Sequence, residues 1–258
     1  MDIDLRKYLQ QNHNQLTWKK RINITYYIIH ALYFIHFEKA IHRDLHSGNI
    51  LYSQFNDRWG ISDLGFCGPA DKPSESIYGN LPYIAPEVIV GREYTFASDI
   101  YSIAILMWEI SSGQTPFINY EHENDIVINI INGIRPKIVP GTPLEYKNLM
   151  KECWDADPLK RPDAYTLWER MKRFNLDYQN MSDELFKSEI DNLEMNKVEE
   201  NYTSSRLFTS KIHNFENLPE PRNATEEEQE GFHSKLYDFN IPNKILINQI
   251  SEIANHLK

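Results

Sequence analysis

The feature that most constrains the fold is the run ASDIYSIAILMWEIS at positions 97–111, which is apolar on almost every face of a helix. Such a helix has to be surrounded by other elements, because none of its faces suits water. Gly113 follows, where a helix commonly ends in a left-handed residue. The sequence therefore predicts a core built around one buried helix.

The segments on either side of this run predict a mostly helical body. Residues 17–36 place apolar side chains near helical spacing, with Thr17 as the N-cap. Short apolar pieces at 50–52 and 59–61, separated by a polar turn, predict a small β-hairpin. Further helices are predicted at 123–132, 144–154 and 163–174.

The composition changes after Phe174, and this change divides the chain. Residues 174–258 hold 8 Lys+Arg against 16 Asp+Glu, which is −8 of the formal net charge of −10. Low hydrophobicity with excess acidic charge favours disorder. We expect one domain over residues 1–174 and a largely disordered acidic tail over 175–258, with one amphipathic helix at 241–257.

Charge, apolar runs and cysteines limit the partners and the compartment. The nearly neutral body lacks the basic face that a nucleic acid needs, so no nucleic-acid partner is expected. No apolar run approaches the roughly 20 residues of a membrane span, and the N-terminus is acidic, so no membrane association is expected. Cys67 and Cys153 have no metal-ligand spacing and suit a reducing compartment. A cytoplasmic protein is predicted.

Residues 42–49 read HRDLHSGN and resemble the H-R-D-L-x-x-x-N catalytic loop of eukaryotic protein kinases. In-line phosphoryl transfer needs a carboxylate that orients the attacking hydroxyl and accepts its proton, which suits Asp44. It also needs an oxygen donor for Mg²⁺, which suits Asn49. A loop Asp and Asn that only form a turn are the plainer alternative. The resemblance implies the C-terminal lobe of a kinase, mainly α-helical.

Downstream, residues 63–65 read DLG, in the place of the kinase D-F-G motif. The resemblance implies that Asp63 joins Asn49 as a ligand of Mg²⁺, which bridges to the phosphates of ATP. Leu64 is expected to fill the apolar role of the family's Phe. Leu51 is expected to form part of the floor beneath the adenine.

Three more positions match structural residues of the family. Residues 85–87 read APE, and the resemblance implies an ion pair between Glu87 and Arg161. Asp99, at the start of the apolar run, is expected to fasten the catalytic loop, although an N-cap role alone would explain it. His42, at the beginning of that loop, is expected to be structural.

Arg43 precedes the proposed base, and in the family an Arg at this position often binds a phosphate on the activation segment. The candidate phosphorylation sites are Ser74, Ser76 and Tyr78. A phosphate there would order the segment through charge-assisted hydrogen bonds. The alternative is that all three are ordinary solvated loop residues.

Three positions bear on whether the acceptor is Ser/Thr or Tyr, and two of them differ from the residues usual in serine/threonine kinases. Serine/threonine kinases usually carry Lys where this chain has His46, and Thr where it has Asn80. Tyrosine kinases usually carry Trp where this chain has Tyr83. The mixture resembles the tyrosine-kinase-like branch and favours Ser/Thr acceptors in signalling, with Tyr left open.

The Gly-rich loop, strand Lys and helix Glu of a complete kinase have no counterpart, and residues 1–9 resemble the segment after the inter-lobe hinge. The resemblance covers residues 2–174, so we expect a truncated kinase domain whose activity requires the other lobe. Three explanations stay open: an incomplete gene model, a fragment that binds kinase partners, or a pseudokinase scaffold. In the last two, a kinase or scaffold partner would cover the inter-lobe face, and the chain would be a non-catalytic interaction module.

Overall fold

The computed structural model describes residues 3–69, 77–120, 122–181 and 208–239. In chain order the elements are β1 Ile3–Asp4, α1 Leu5–Asn12, α2 Trp18–Phe37, β2 Ala40–Ile41, β3 Ile50–Ser53, β4 Arg58–Ile61, β5 Gly68–Pro69, β6 Ile77–Gly79, α3 Pro86–Ile89, α4 Phe96–Ser112, α5 Glu123–Ile131, α6 Leu144–Cys153, α7 Ala164–Asn180, β7 Lys211–His213 and α8 Glu226–Phe239. The predicted mainly α-helical lobe with a small hairpin is confirmed. No helix within these ranges is long and apolar enough to cross a membrane.

The central element is α4, and it is the buried helix that the apolar run predicted. All but its first two residues are buried. A capping box between Thr95 and Ser98 begins the helix, and Gly113 ends it with φ 70°. Helices α2 and α6 pack against it; from α6, Tyr146 donates its hydroxyl to the carbonyl oxygen of Met107 at 3.0 Å.

Helix α2 begins where the sequence predicted, because the Thr17 hydroxyl oxygen accepts the N–H of Lys20 at 3.4 Å. Its outer face packs against α7, where the rings of Tyr33 and Trp168 stack with centroids 5.1 Å apart. The end of α2 leads through β2 directly to the catalytic loop at residues 42–49.

The predicted hairpin is present as β3 and β4, which pair antiparallel from Ile50↔Ile61 to Ser53↔Arg58. Strand β1 adds to the other side of β3, with Asp4 opposite Leu51. The open end of the hairpin starts just after Asn49 and leads directly to Asp63. The hairpin therefore brings the end of the catalytic loop next to the DLG segment.

The structure differs from the predicted tail in two places. Helix α7 continues to Asn180, so the domain boundary predicted at residue 174 falls inside a helix. Residues 208–239, part of the tail that was predicted to be largely disordered, contain β7, which pairs with β6, and α8. The helix predicted at 241–257 lies outside the described residues.

Specific contacts order this part of the tail. The Arg222 N–H donates to the carbonyl oxygen of Ile131 at 3.0 Å, and Asn223 accepts the N–H of Ala156 at 2.9 Å. Glu226, Glu227 and Glu228 form the first turn of α8, where Glu228 accepts the Thr225 N–H at 2.8 Å. Acidic residues stabilise a helix N-terminus, so the same composition that favours disorder also suits this first turn.

Replacing glycine by alanine at two positions tests the backbone geometry at the end of the central helix, with a glycine of α8 as the comparison. Gly113→Ala should lower the free energy of unfolding by about 1–2 kcal/mol, because a side chain disfavours the left-handed backbone. A Cβ there would also meet the ring of His13. Gly231→Ala, in α8 with open space around it, should instead raise stability by up to about 1 kcal/mol. Urea unfolding followed by circular dichroism measures both; equal effects would contradict the assigned geometry.

Candidate active site

The catalytic loop is attached to the central helix through Asp99, which is 1% exposed. One carboxylate oxygen accepts the His42 N–H at 2.8 Å, and the other accepts the Arg43 N–H at 3.0 Å. The His36 ring Nε2, from the end of α2, lies 3.0 Å from the same carboxylate. Arg43 has φ 72°, a conformation that a residue with a side chain keeps only when its surroundings hold it. The structure thus brings Asp99 to the loop that it was expected to fasten.

Asp44 lies at the centre of the site and is 4% exposed. The Asn49 side-chain amide donates to the Asp44 carbonyl oxygen at 2.9 Å, which joins the two ends of the loop. Burial alone would raise the pKa of the Asp44 carboxyl, but hydrogen bonds and charge from His46, with a hydrogen bond from Ser210, lower it below its ordinary value. Asp44 is therefore ionised at neutral pH, as a base must be.

His46 is oriented by the loop itself. Its Nδ1 accepts the Gly48 N–H at 3.0 Å, so in the neutral ring the proton is on Nε2. That Nε2 lies 3.7 Å from Asp44 Oδ2 and 3.1 Å from Ser210 Oγ. The other altered position, Asn80, is 1% exposed and donates its amide to the carbonyl oxygen of Phe208 at 2.9 Å. Both altered residues therefore contact the returning tail.

The two proposed metal ligands lie at the open end of the hairpin. Ser62 donates its N–H and its hydroxyl to the carbonyl oxygen of Asn49 at 2.8 and 2.9 Å, and Asp63 follows with φ 57°. Because the Asn49 amide nitrogen is used by Asp44, its side-chain oxygen is the atom that can meet a cation. An amide oxygen and a carboxylate are hard donors, and this set fits Mg²⁺.

One expectation about this segment is wrong. Leu64 was expected to pack as the family's Phe does, but its side chain is 56% exposed. Residues 64–66 form a single 3₁₀ turn after the left-handed Asp63, and this turn carries Leu64 away from the core. No further role is assigned to it.

The predicted partners Glu87 and Arg161 lie together. The guanidinium donates to both carboxylate oxygens at 2.7 and 2.8 Å, and the two side chains are 4% and 0% exposed. Arg161 also donates to the carbonyl oxygens of Ala97 and Asp155, each at 2.8 Å. The pair joins the end of the activation segment to the start of α4 and to the loop before α7.

Of the three candidate phosphorylation sites, only Tyr78 lies within the residues that the structure describes. Ser74 and Ser76 lie outside the described residues. Tyr78 is in β6, where its N–H donates to the Tyr94 hydroxyl at 3.1 Å. The guanidinium of Arg43 lies against Gly68 in β5, where a Cβ would collide with it.

Sequence reasoning missed a second buried carboxylate beneath the catalytic loop. Glu109, in α4, accepts hydrogen bonds from Ser47 at 2.8 Å and from Tyr83 at 2.6 Å. Burial raises the pKa of Glu109 in spite of these bonds. A glutamate inside an apolar helix was the available signal, since a buried carboxyl group needs partners. Ser210 was missed as well, and no local pattern in the tail indicated it.

A helical lobe with this loop and a buried Glu–Arg pair defines the large lobe of a protein kinase. The family described as "Protein tyrosine and serine/threonine kinase" matches residues 2–171, and the chain belongs to this family.

The curated relatives are protein kinases. The chain is 36% identical over 151 residues to the "Dual serine/threonine and tyrosine protein kinase" of Homo sapiens, which covers 57% of this chain and 16% of the human protein. It is 32% identical over 188 residues to the "Probable serine/threonine-protein kinase roco7" of Dictyostelium discoideum, covering 67% of this chain and 7% of that protein. The chain therefore spans only a small part of the length of the relatives that it matches.

Removing one partner tests the buried ion pair. Glu87→Gln should lower the free energy of unfolding by about 3–5 kcal/mol, because Arg161 keeps its charge in a buried place without a counter-ion. The matched control is Glu152→Gln, at an exposed pair with Arg170. That change should cost less than about 1 kcal/mol. Urea unfolding of both variants measures the difference, and similar losses would show that the buried pair is not the structural tie described above.

Proposed function

We propose that this domain transfers the terminal phosphoryl group of ATP to Ser or Thr hydroxyls of proteins. The observation that carries the proposal is a serine hydroxyl, that of Ser210, which donates to the carboxylate of Asp44 at 2.8 Å. A general base has to lie within about 2.6–3.2 Å of the proton that it accepts. This is the contact that an acceptor hydroxyl would make.

The residues of the chain divide the work of the transfer. Asp44 orients the acceptor hydroxyl and takes its proton as the oxygen attacks. Its lowered pKa keeps the carboxylate ionised before the reaction. The His46 Nε2–H lies next to the hydroxyl oxygen of Ser210. It can donate a hydrogen bond to the phosphoryl group that is transferred to an acceptor oxygen at this position. Asn49 and Asp63 would hold Mg²⁺, which neutralises charge on the phosphates.

The adenine of ATP is proposed to lie over Leu51. This residue is half-buried in β3, between β1 and β4. Its side chain is therefore fixed by strands on both sides and offers an apolar surface to a flat ring. ATP and a protein are thus the two proposed substrates.

The length of the side chain that can place its hydroxyl at Asp44 bears on the class of acceptor. The backbone of the returning tail lies where the short side chain of Ser210 meets Asp44. A tyrosine at the same backbone position would carry its hydroxyl past the carboxylate. This supports Ser/Thr as the acceptor. The name of the human relative includes both serine/threonine and tyrosine activity, and that of the Dictyostelium relative includes serine/threonine activity, so Tyr stays open as a second acceptor.

The cysteines bear on the compartment. Cys67 and Cys153 are both free thiols. Burial raises the pKa of the Cys153 thiol, so it is not a reactive thiolate. Free, unreactive thiols fit a reducing compartment, and we propose that the protein acts in the cytoplasm.

Single substitutions test the proposed catalytic roles. In the native gene product, expressed from its complete transcript, Asp44→Asn should reduce transfer to a Ser-containing peptide by about 10²–10⁴-fold, the usual contribution of a general base. Asp63→Asn should remove the Mg²⁺-dependent rise in melting temperature with ATP, since ligand binding stabilises the folded state. Asp177→Asn, on the exposed face of α7, is the matched control and should change neither.

Two outcomes would contradict the proposal. Transfer that survives Asp44→Asn would remove Asp44 as the base. The absence of any Mg²⁺-dependent stabilisation by ATP in the unsubstituted protein would instead favour the non-catalytic interaction module.

A further inference from the structure

The tail returns to the active site at residues 208–213, far along the chain from the catalytic loop. The Ser210 hydroxyl donates to Asp44 Oδ1 at 2.8 Å across a separation of 166 residues. The Ser210 hydroxyl oxygen also lies 3.1 Å from His46 Nε2, the ring nitrogen that carries the proton when the imidazole is neutral. Ser210 therefore meets both groups that would handle an acceptor hydroxyl.

The backbone next to Ser210 is held as a strand. Strand β7 pairs antiparallel with β6 of the activation segment, from Ile77↔His213 to Gly79↔Lys211. Gly79 has φ 149°, and a Cβ there would come 3.4 Å from Asp44 Oδ1, so its lack of a side chain leaves room at the base. Addition of an extended segment to a strand edge is a common way in which proteins bind peptides.

Side chains on both sides of Ser210 fix its register. Phe208 is 6% exposed and packs in the hydrophobic core, and its carbonyl oxygen accepts the Asn80 amide at 2.9 Å. Lys211 pairs with Glu123 of α5 at 2.8 Å. The His213 ring is 5% exposed, and its Nε2 donates to the carbonyl oxygen of Gly79 at 3.0 Å. A shift of the segment by one residue would break these contacts together.

We propose that residues 208–213 form a built-in substrate segment: Ser210 is the first acceptor of the phosphoryl group, and the segment blocks other protein substrates until Ser210 is modified. This inference rests on the proposed function and adds to it a modification site and a form of regulation. The exposed Thr209, next in the chain, is not the acceptor, since the hydroxyl at the base belongs to Ser210.

The proposed step uses only ATP as a co-reactant. A bond forms between Ser210 Oγ and the γ-phosphorus, and the bond from that phosphorus to the β–γ bridging oxygen breaks. ADP leaves with the bonding electron pair, and the hydroxyl proton passes to Asp44. The products are phosphoserine at position 210, ADP and a protonated Asp44, which then returns its proton to water.

Modification would release the segment. A phosphate on Ser210 places a group of about −2 charge against the carboxylate of Asp44, where a hydroxyl had donated a hydrogen bond. Like charges in this partly buried place repel. We therefore expect strand β7 to separate from β6 after the transfer, which opens the acceptor site.

Hydrogen exchange tests the docking without any catalysis. In the full chain, amides in peptides covering residues 208–213 should exchange slowly. Ser210→Glu, which introduces the negative charge, should speed their exchange at least tenfold. Thr209→Glu, the neighbouring exposed residue, is the matched control and should leave the rates unchanged. Rates in the unsubstituted chain equal to those of a free peptide would overturn the proposal.

A time course with Mg-ATP tests the modification. In the native gene product, mass spectrometry should find phosphate on Ser210 before a Ser-containing test peptide is labelled, at a rate independent of protein concentration. The test peptide should show a lag that Ser210→Glu removes. Labelling of the test peptide without a lag, with Ser210 unmodified, would overturn the inference and leave the proposed function intact. Labelling of neither would count against the proposed function and against Ser210 as an acceptor, and the exchange rates would then decide the docking alone.

Discussion

The arrangement of the active site depends on the carboxylate of Asp99, buried at the start of the central helix. A buried charge is stable only when hydrogen bonds satisfy it, and here the donors are the N–H groups of His42 and Arg43. The catalytic loop is therefore fixed to the most deeply buried element of the lobe. Glu109, further along the same helix, holds the other side of the loop through Ser47. One helix thus determines where Asp44 lies.

The carboxyl groups next to the loop differ because their surroundings differ. Asp44 accepts a hydrogen bond from Ser210 and lies beside the His46 ring, and its pKa is lowered. Glu109 is fully enclosed, and burial raises its pKa although two hydroxyl groups bond to it. The pKa values of the two carboxyl groups are therefore shifted in opposite directions.

Much of the fold could be predicted because it is encoded locally. Apolar periodicity and caps placed α2 and α4 to within one residue, and the resemblance to protein kinases implied the pairing of Glu87 with Arg161. The exposure of Leu64 was missed, since a motif position does not reveal which way a single turn faces. The pairing of β7 with β6 was also missed. It joins short strands distant in sequence, and its stability comes from contacts of Phe208 and His213 that no local pattern indicates. The roles of Asp44, Asn49 and Asp63 remain predictions.

The return of the tail has a consequence for competition between substrates. A segment joined covalently to the site binds at an effective concentration set by the connecting chain, which for flexible links is typically of millimolar order. Dilution of the protein does not lower it. If residues 208–213 act as the proposed substrate segment, a separate protein acceptor would compete with a segment that is always present in a one-to-one ratio, whatever the abundance of the protein. An external substrate would then have to bind the site more tightly than residues 208–213 do, so the affinity of this segment would set the threshold for selection.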